Sequence, residues 1–198
     1  MQGKNRNFSL LAAMFIFALV ATSGIVHTVA ASAIAAEAPA ATEKNPPGDI
    51  PDSQVFVTYA SPLGFSLKVP EGWARSDRAD GVKFADKYNT IDLAVAAASG
   101  APTVASVTDH EAANLTKTGR AVKIRAVKKV TLQSGPAILI DYTANSELNP
   151  VTNKQSRLES NRYLIYRDGK LATIDLAAPL GADNADQWKL IANSFGWR

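Results

Sequence analysis

The side chains in this sequence best placed to do chemistry are cations, and they are clustered. Lys117, Arg120, Lys123, Arg125, Lys128 and Lys129 lie close together on either side of an alternating apolar pattern. In a strand over 122–132, successive side chains point to opposite faces. Lys123, Arg125 and Lys129 then share one parity, and Val122, Ile124, Val130 and Leu132 share the other. A face carrying Lys123, Arg125 and Lys129 would suit an anionic partner such as lipid headgroups, an acidic envelope protein or a polyanionic polymer. The plainer reading is an edge or solvent-facing strand that lysine keeps from pairing with other chains.

Carboxylates are the second group. Asp92, Asp141 and Asp175 each stand between large apolar neighbours in an expected strand, and would hold a cation or move protons if the fold brought them together. Otherwise each marks the solvent face of its strand or pairs with an arginine such as Arg157 or Arg162. His110, between Asp109 and Glu111 early in an expected helix, reads as a surface residue. The chain has no cysteine, which excludes disulfides, thiolate metal sites and cysteine nucleophiles, and no Gly-x-Ser-x-Gly elbow presents a serine. The pattern therefore assigns no catalytic, cofactor-binding or metal-ligating residue, and leaves Lys123, Arg125 and Lys129 as the candidate contact patch. Tyr59, Phe65, Trp73, Tyr163, Tyr166, Trp188, Phe195 and Trp197 read as core, with a pocket for an apolar ligand as the alternative. Trp197 would either cap the core or be presented to a partner.

Short apolar runs separated by turn chemistry must position these groups. Strands are expected over 55–59, 64–69, 82–85 and 91–97, with Pro70-Glu71-Gly72 breaking the second and Trp73 buried against the sheet. A helix is expected from Val104 to Lys117, capped by Thr103 or Ser106 and stopped at Gly119. A hairpin should follow, 122–132 and 137–143 about Gln133-Ser134-Gly135-Pro136, and then a polar loop over 145–156. Asp168-Gly169 between 157–167 and 170–177 carries the positive-φ preference of a type I′ hairpin. Trp188, Ile191, Ala192 and Phe195 fall at i, i+3, i+4 and i+7, the apolar stripe of a helix that docks on a core. Hairpins with two helices predict an α+β domain over 55–198, an antiparallel sheet covered by helices.

The N-terminal region reads as an address. Lys4 and Arg6 precede an uncharged apolar run from Phe8 to Val26, and Ala31-Ser32-Ala33 and Ala33-Ile34-Ala35 offer small residues at signal-peptidase spacing. Residues 1–36 are a cleaved signal peptide on this reading, cut between Ala33 and Ala36, or an anchor retained through residues 8–30, whose length nearly spans a membrane core. Either places the body outside the cytoplasm, periplasmic or secreted, because flanking positive charge stays inside. Residues 37–54, with prolines at 39, 46, 47 and 51, read as an exposed, mobile linker.

With 198 residues, 46% hydrophobic and 20% charged, the chain can build one ordinary core. Lys4 and Arg6 account for two of its 21 bases and no acid precedes Glu37, so the remainder carries 19 bases against 18 acids, a net +1. That balance argues against a nucleic-acid partner, which calls for a large basic excess in the folded domain.

Gly64-Phe65-Ser66-Leu67-Lys68-Val69-Pro70-Glu71-Gly72-Trp73 resembles the opening of the PsbP/Mog-type fold, where an aromatic strand leads into Pro-x-Gly-Trp. The close, Tyr163-Leu164-Ile165-Tyr166, a tight turn, Ala172-Thr173-Ile174-Asp175-Leu176 and a helix ending in Ile191-Ala192-Asn193-Ser194-Phe195, resembles that fold's last hairpin and helix. The resemblance covers about Val55 to Arg198 and none of its motifs is catalytic. It implies an α/β/α sandwich around an antiparallel sheet, without a cofactor, used for binding other proteins. Members include an extrinsic subunit of the photosynthetic oxygen-evolving complex, a nuclear Ran-binding protein and exported LpqN-type lipoproteins, from which this chain departs in lacking a lipidated cysteine. The expected role is an exported, non-catalytic binding or assembly module of the cell envelope. A carrier of a small apolar or lipid ligand is the alternative, and a metal-assisted hydrolase the third reading.

Overall fold

The computed structural model describes residues 37–41 and 48–198. The signal peptide or anchor expected over 1–36 lies outside the described residues. Among the described residues, no helix is long and apolar enough to cross a membrane.

Among the described residues, ten strands and two helical regions follow in the order β1 (Phe56–Ser61), β2 (Phe65–Pro70), β3 (Ala74–Arg78), β4 (Gly81–Asp86), β5 (Asn89–Ala97), a helical run, β6 (Lys123–Leu132), β7 (Gly135–Asn145), β8 (Arg157–Arg167), β9 (Lys170–Pro179), a C-terminal helix α3 (Ala185–Ser194) and β10 (Gly196–Trp197). The helical run is continuous: α1 (Val104–Ser106), a π-helical segment (Val107–Ala112) and α2 (Ala113–Thr118). Thr103 caps it, accepting from the Ser106 amide at 3.1 Å while its own amide donates to the Ser106 hydroxyl, a reciprocal pair that satisfies two donors free at a helix start. Gly119 ends it in extended backbone.

Strands β3-β4-β5-β9-β8-β7-β6 form a seven-stranded antiparallel sheet, and β1-β2-β10 a three-stranded one. The period-2 alternation of the large sheet gives it two buried faces. Ile91, Leu93, Leu139, Tyr163, Ile165, Ile174 and Leu176 point to one, where α3 (Trp188, Ile191, Ala192) and the small sheet (Phe65, Leu67, Val69) close a core. Ile138, Ile140, Tyr142 and Leu164 point to the other, under Val107 and Ala112 of the helical run. With a helix on each face the layering is the expected α/β/α arrangement, and the small sheet shares the α3 layer. Aromatic rings hold that layer: Phe65 stacks on Phe195 at 6.0 Å, and Trp197 meets Phe195 edge-on at 5.2 Å. Trp197 thus caps the core.

Asp168 and Gly169 have φ of 48° and 78° and join Arg167 to its cross-strand partner Lys170, the two-residue turn their types predict. Gly72 (φ 86°) makes the turn after Pro70, but Trp73 beyond it is only half-buried against the core, not buried as expected. Strand β3, Ala-Arg-Ser-Asp-Arg, has no counterpart in the sequence reading. All five residues are exposed, and the strand is held by its backbone pairing with β4 at the sheet edge.

The proline-rich stretch is not uniformly free. Ile50 is buried, and its amide donates at 2.7 Å to Oδ1 of Asn184, whose Nδ2 donates to the Gly48 carbonyl at 2.9 Å and to Asn89 Oδ1 at 3.3 Å. Farther upstream, Asn145 Nδ2 donates to Glu37 Oε1 and to the Ala38 carbonyl, both at 2.9 Å, and Asn145 Oδ1 accepts from the Ala40 amide at 2.8 Å. The full exposure expected over 37–54 therefore fails at Ile50, while residues 37–39 and 41 stay exposed though tied to Asn145. Two buried asparagines supply the donors and acceptors that a proline-rich segment cannot exchange within itself.

Candidate functional site

Polar groups on the helix-side face of the large sheet are placed by strand register. Asp92 of β5 pairs with Asp175 of β9, which pairs with Arg162 of β8, which pairs with Ile140 of β7, so Asp92, Asp175 and Arg162 share one face. The helix brings Glu111 to them. Bonds of i→i+5 type widen the turn at Val107–Ala112, and Val107, Glu111 and Ala112 all come to the sheet side.

Arg162 lies at the centre. Its Nη1 donates to Glu111 Oε1, and its Nε and Nη2 donate to Asp175 Oδ2, the former at 2.9 Å. The Tyr142 hydroxyl donates to the same Oδ2 at 2.7 Å, and the Arg162 guanidinium lies 5.9 Å from the Tyr142 ring centre. Burial pushes the Asp175 carboxyl above its ordinary range, and Arg162 with the Tyr142 hydroxyl offsets this only in part. Burial and the Asp175 charge also push the Tyr142 hydroxyl up. The guanidinium loses solvation, but Asp175 more than compensates and Arg162 stays protonated. Oδ1 of Asp175 is buried without a hydrogen-bond partner. This network rivets the helix to the sheet.

The other carboxylates are engaged separately. Asp92 accepts from Arg78 Nη2 at 2.6 Å. Asp141 accepts from Arg125 Nε at 2.7 Å, and Arg125 Nη2 also reaches Glu159 at 3.3 Å. Asp141 alternates with Ile140 and Tyr142 along β7 and so faces away from Asp92 and Asp175. The three do not converge. Among the described residues, no group of three or more histidines and carboxylates is arranged to hold a metal. Arg157, expected as an aspartate's partner, instead donates to the Ala121 carbonyl, Asn145 Oδ1 and Thr143 Oγ1, and holds Ala121 at φ 46° between helix and β6. His110 is exposed.

The structure splits the expected basic stripe. Strand β6 is the sheet edge, and its register with β7 shifts between Ile124 and Ala126. Arg125 is the extra residue, and such a bulge reverses the parity of everything after it. Lys123 lies opposite Thr143, and Lys129 lies opposite Ile138, on the other face. Arg125 is spent on Asp141 and Glu159, and Arg120 binds Glu147 at 2.6 Å. Lys123, Arg125 and Lys129 therefore do not form one charged face.

Lys129 does open onto a recess. Where the helical run begins, a cavity of about 350 Å³ lies against the helix-side face. Its floor is Ile138 and Leu164, Tyr166 stands at one end, and Ala101, Pro102 and Val104 form a wall. A larger depression of about 540 Å³ beside α3 is lined mainly by polar groups, among them Lys68, Gln133, Asp186 and Lys189. The sequence reading missed the recess, together with Glu111, Tyr142, Asn145 and Asn184. Tyr142 and Glu111 had a visible cue in their helix or strand parity, whereas the recess depends on where the helix starts over the sheet.

Neither a family model nor a curated protein sequence matches the chain. Among solved structures, cyanobacterial PsbP (CyanoP) from Synechocystis sp. PCC 6803 is similar with a TM-score of 0.53 and 15% identity, over 76% of this chain and 98% of that one. The Saccharomyces cerevisiae Ran-binding protein Mog1p aligns over 72% of this chain and 95% of its own, at a TM-score of 0.48 and 10% identity. The likeness to CyanoP establishes the PsbP/Mog-like fold for this chain; at this identity it speaks for architecture alone.

Proposed function

We propose that this chain is an exported, non-catalytic binding module of the cell envelope that works through contact with another protein. The observation that carries this reading is the recess beside Lys129. It is a largely apolar recess in a domain where Arg78, Arg120, Arg125 and Arg162 are each paired with carboxylates. Asp92, Asp141, Asp175 and Glu111 each face an arginine, an arrangement that suits scaffolding better than proton transfer. Small, well-walled apolar recesses are where protein partners place their energetically dominant side chains. Export is supported by Lys4, Arg6, the apolar run after them and the Ala-x-Ala triplets.

A carrier of a lipid-sized ligand would call for a large cavity among the aromatic side chains. Here Tyr59, Phe65, Phe84, Phe195 and Trp197 pack against one another, and a recess of about 350 Å³ is near the lower end of ligand pockets. The test is photo-crosslinking in intact envelopes, with the photoreactive residue at exposed Ala105, next to the wall residue Val104 and outside the lining, or at Asp77 on exposed β3. A discrete protein adduct formed from position 105 and weak from position 77 supports the module. No protein adduct from either position overturns it.

A further inference from the structure

We propose that the recess between Ala101–Val104 and strands β6–β8 receives one large apolar side chain of a protein partner with a carboxylate beside it, and that Lys129 is the counter-ion. The inference rests on the reading of the chain as a protein-binding module and names the chemistry of its partner. Three features lead to this occupant.

The first is why the recess exists. Ile138 and Leu164 are cross-strand neighbours on the face that the helical run covers. The run begins only at Val104, itself exposed, and the recess lies between it, Tyr166 and the buried Ile138 and Leu164. Apart from Thr103 and Lys129 the lining is apolar, and burying exposed apolar surface is favourable in proportion to its area, so an apolar group is the occupant the lining selects. The second is size. About 350 Å³ accommodates a single large side chain, and not the body of a lipid.

The third is charge. Lys129 stands opposite Ile138 in the β6–β7 register, lines the recess and is exposed, so an aliphatic stem and a solvated ammonium both border the site. Like the other lysines among the described residues it makes no ion pair, and it is the one charged residue in the lining of the recess. The bulge at Arg125 is what turns Lys129 to this face. A carboxylate next to the apolar group complements that unengaged cation, whereas a cationic neighbour would be repelled.

The experiment uses the protein as exported and a minimal mimic, N-acetylphenylalanine, which carries a ring and a carboxylate, with its uncharged amide as control. Binding is followed by NMR shifts of the Ile138, Leu164 and Tyr166 amides. The acid is expected to give saturable shifts confined to the recess. The amide, or the acid with Lys129→Gln, should bind about two- to fivefold more weakly, the range of an exposed ion pair. Ala101→Trp, an exposed wall substitution that fills the recess, should abolish the shifts while leaving the melt unchanged. Absence of saturable shifts overturns the proposal, as does equal affinity for acid and amide. Retention on phosphatidylglycerol vesicles that Lys129→Gln removes and Ala101→Trp does not would assign Lys129 to a membrane surface and overturn it too. Crosslinks to a partner from another face, with no mimic bound here, would remove this site and leave the module standing. Mimic binding without any envelope adduct would do the reverse.

Discussion

Replacing Arg162 with methionine tests the central network most directly. The substitution keeps a long apolar stem and removes the donors to Asp175 Oδ2 and to Glu111. Removing one partner of a buried ion pair costs about 3–5 kcal/mol, because the remaining charge is left unpaired in a poor solvent. Here the side chains of Arg162 and Asp175 keep 20% and 17% of their exposure, so water screens part of the loss and about 2–4 kcal/mol is expected at neutral pH. For a body of this size that corresponds to roughly 5–15 °C in Tm. The pH dependence carries the diagnostic sign. Burial already raises the native Asp175 carboxyl above its unfolded value of about 3.9. A carboxyl raised in this way favours folding fully below the unfolded value, and that contribution is lost as pH rises through the native one. Without Arg162 the native value rises further, so the deficit against the parent should be largest near neutrality and shrink toward roughly pH 4. Urea unfolding at several pH values reads it directly. Arg162→Met with Asp175→Asn should recover most of the loss, since asparagine still accepts from Tyr142 and carries no charge. A deficit below about 1 kcal/mol and flat with pH, or strictly additive variants, would refute this account of the network.

Trp188→Ala should cost about 3–5 kcal/mol and Trp73→Ala roughly half as much, because Trp188 is buried in the core and Trp73 only partly so; denaturant midpoints at unchanged slope decide between them. Asn184→Ala removes the acceptor of the Ile50 amide and the donor to Gly48 and Asn89, and should cost about 2–3 kcal/mol and open residues 48–54 to proteolysis well before the body unfolds. Mass measurement of the protein recovered from its native cells should find a terminus between Ile34 and Glu37 if residues 1–36 are a signal. An intact chain in the membrane fraction would indicate the anchor, and an intact cytosolic chain would defeat both.

Much of the fold was legible because its determinants are local. The alternation Ile91-Leu93-Val95, the Asp168-Gly169 turn and the Trp188-Ile191-Ala192-Phe195 stripe each express a backbone period or a φ preference that a few neighbouring residues settle. Strand β3 was illegible for the converse reason. Its polar residues bury nothing, and pairing with β4 alone makes it a strand. The same division runs through the site. The identities of the cations and of Asp92, Asp141 and Asp175 were evident from the sequence, as was arginine pairing as one fate for the acids. Which arginine meets which acid depends on cross-strand register, with partners such as Glu111 and Arg162 51 residues apart, and no local pattern encodes that. The bulge at Arg125 is the sharpest case: one unpaired residue, set by how β6 meets β7, turns Lys129 away from Lys123 and toward the recess. Sequence by itself determined most of the elements and their apolar faces. Only the tertiary structure decided which charges are spent on one another and where an apolar recess lies, because both follow from the registration of distant segments and not from the order of neighbours.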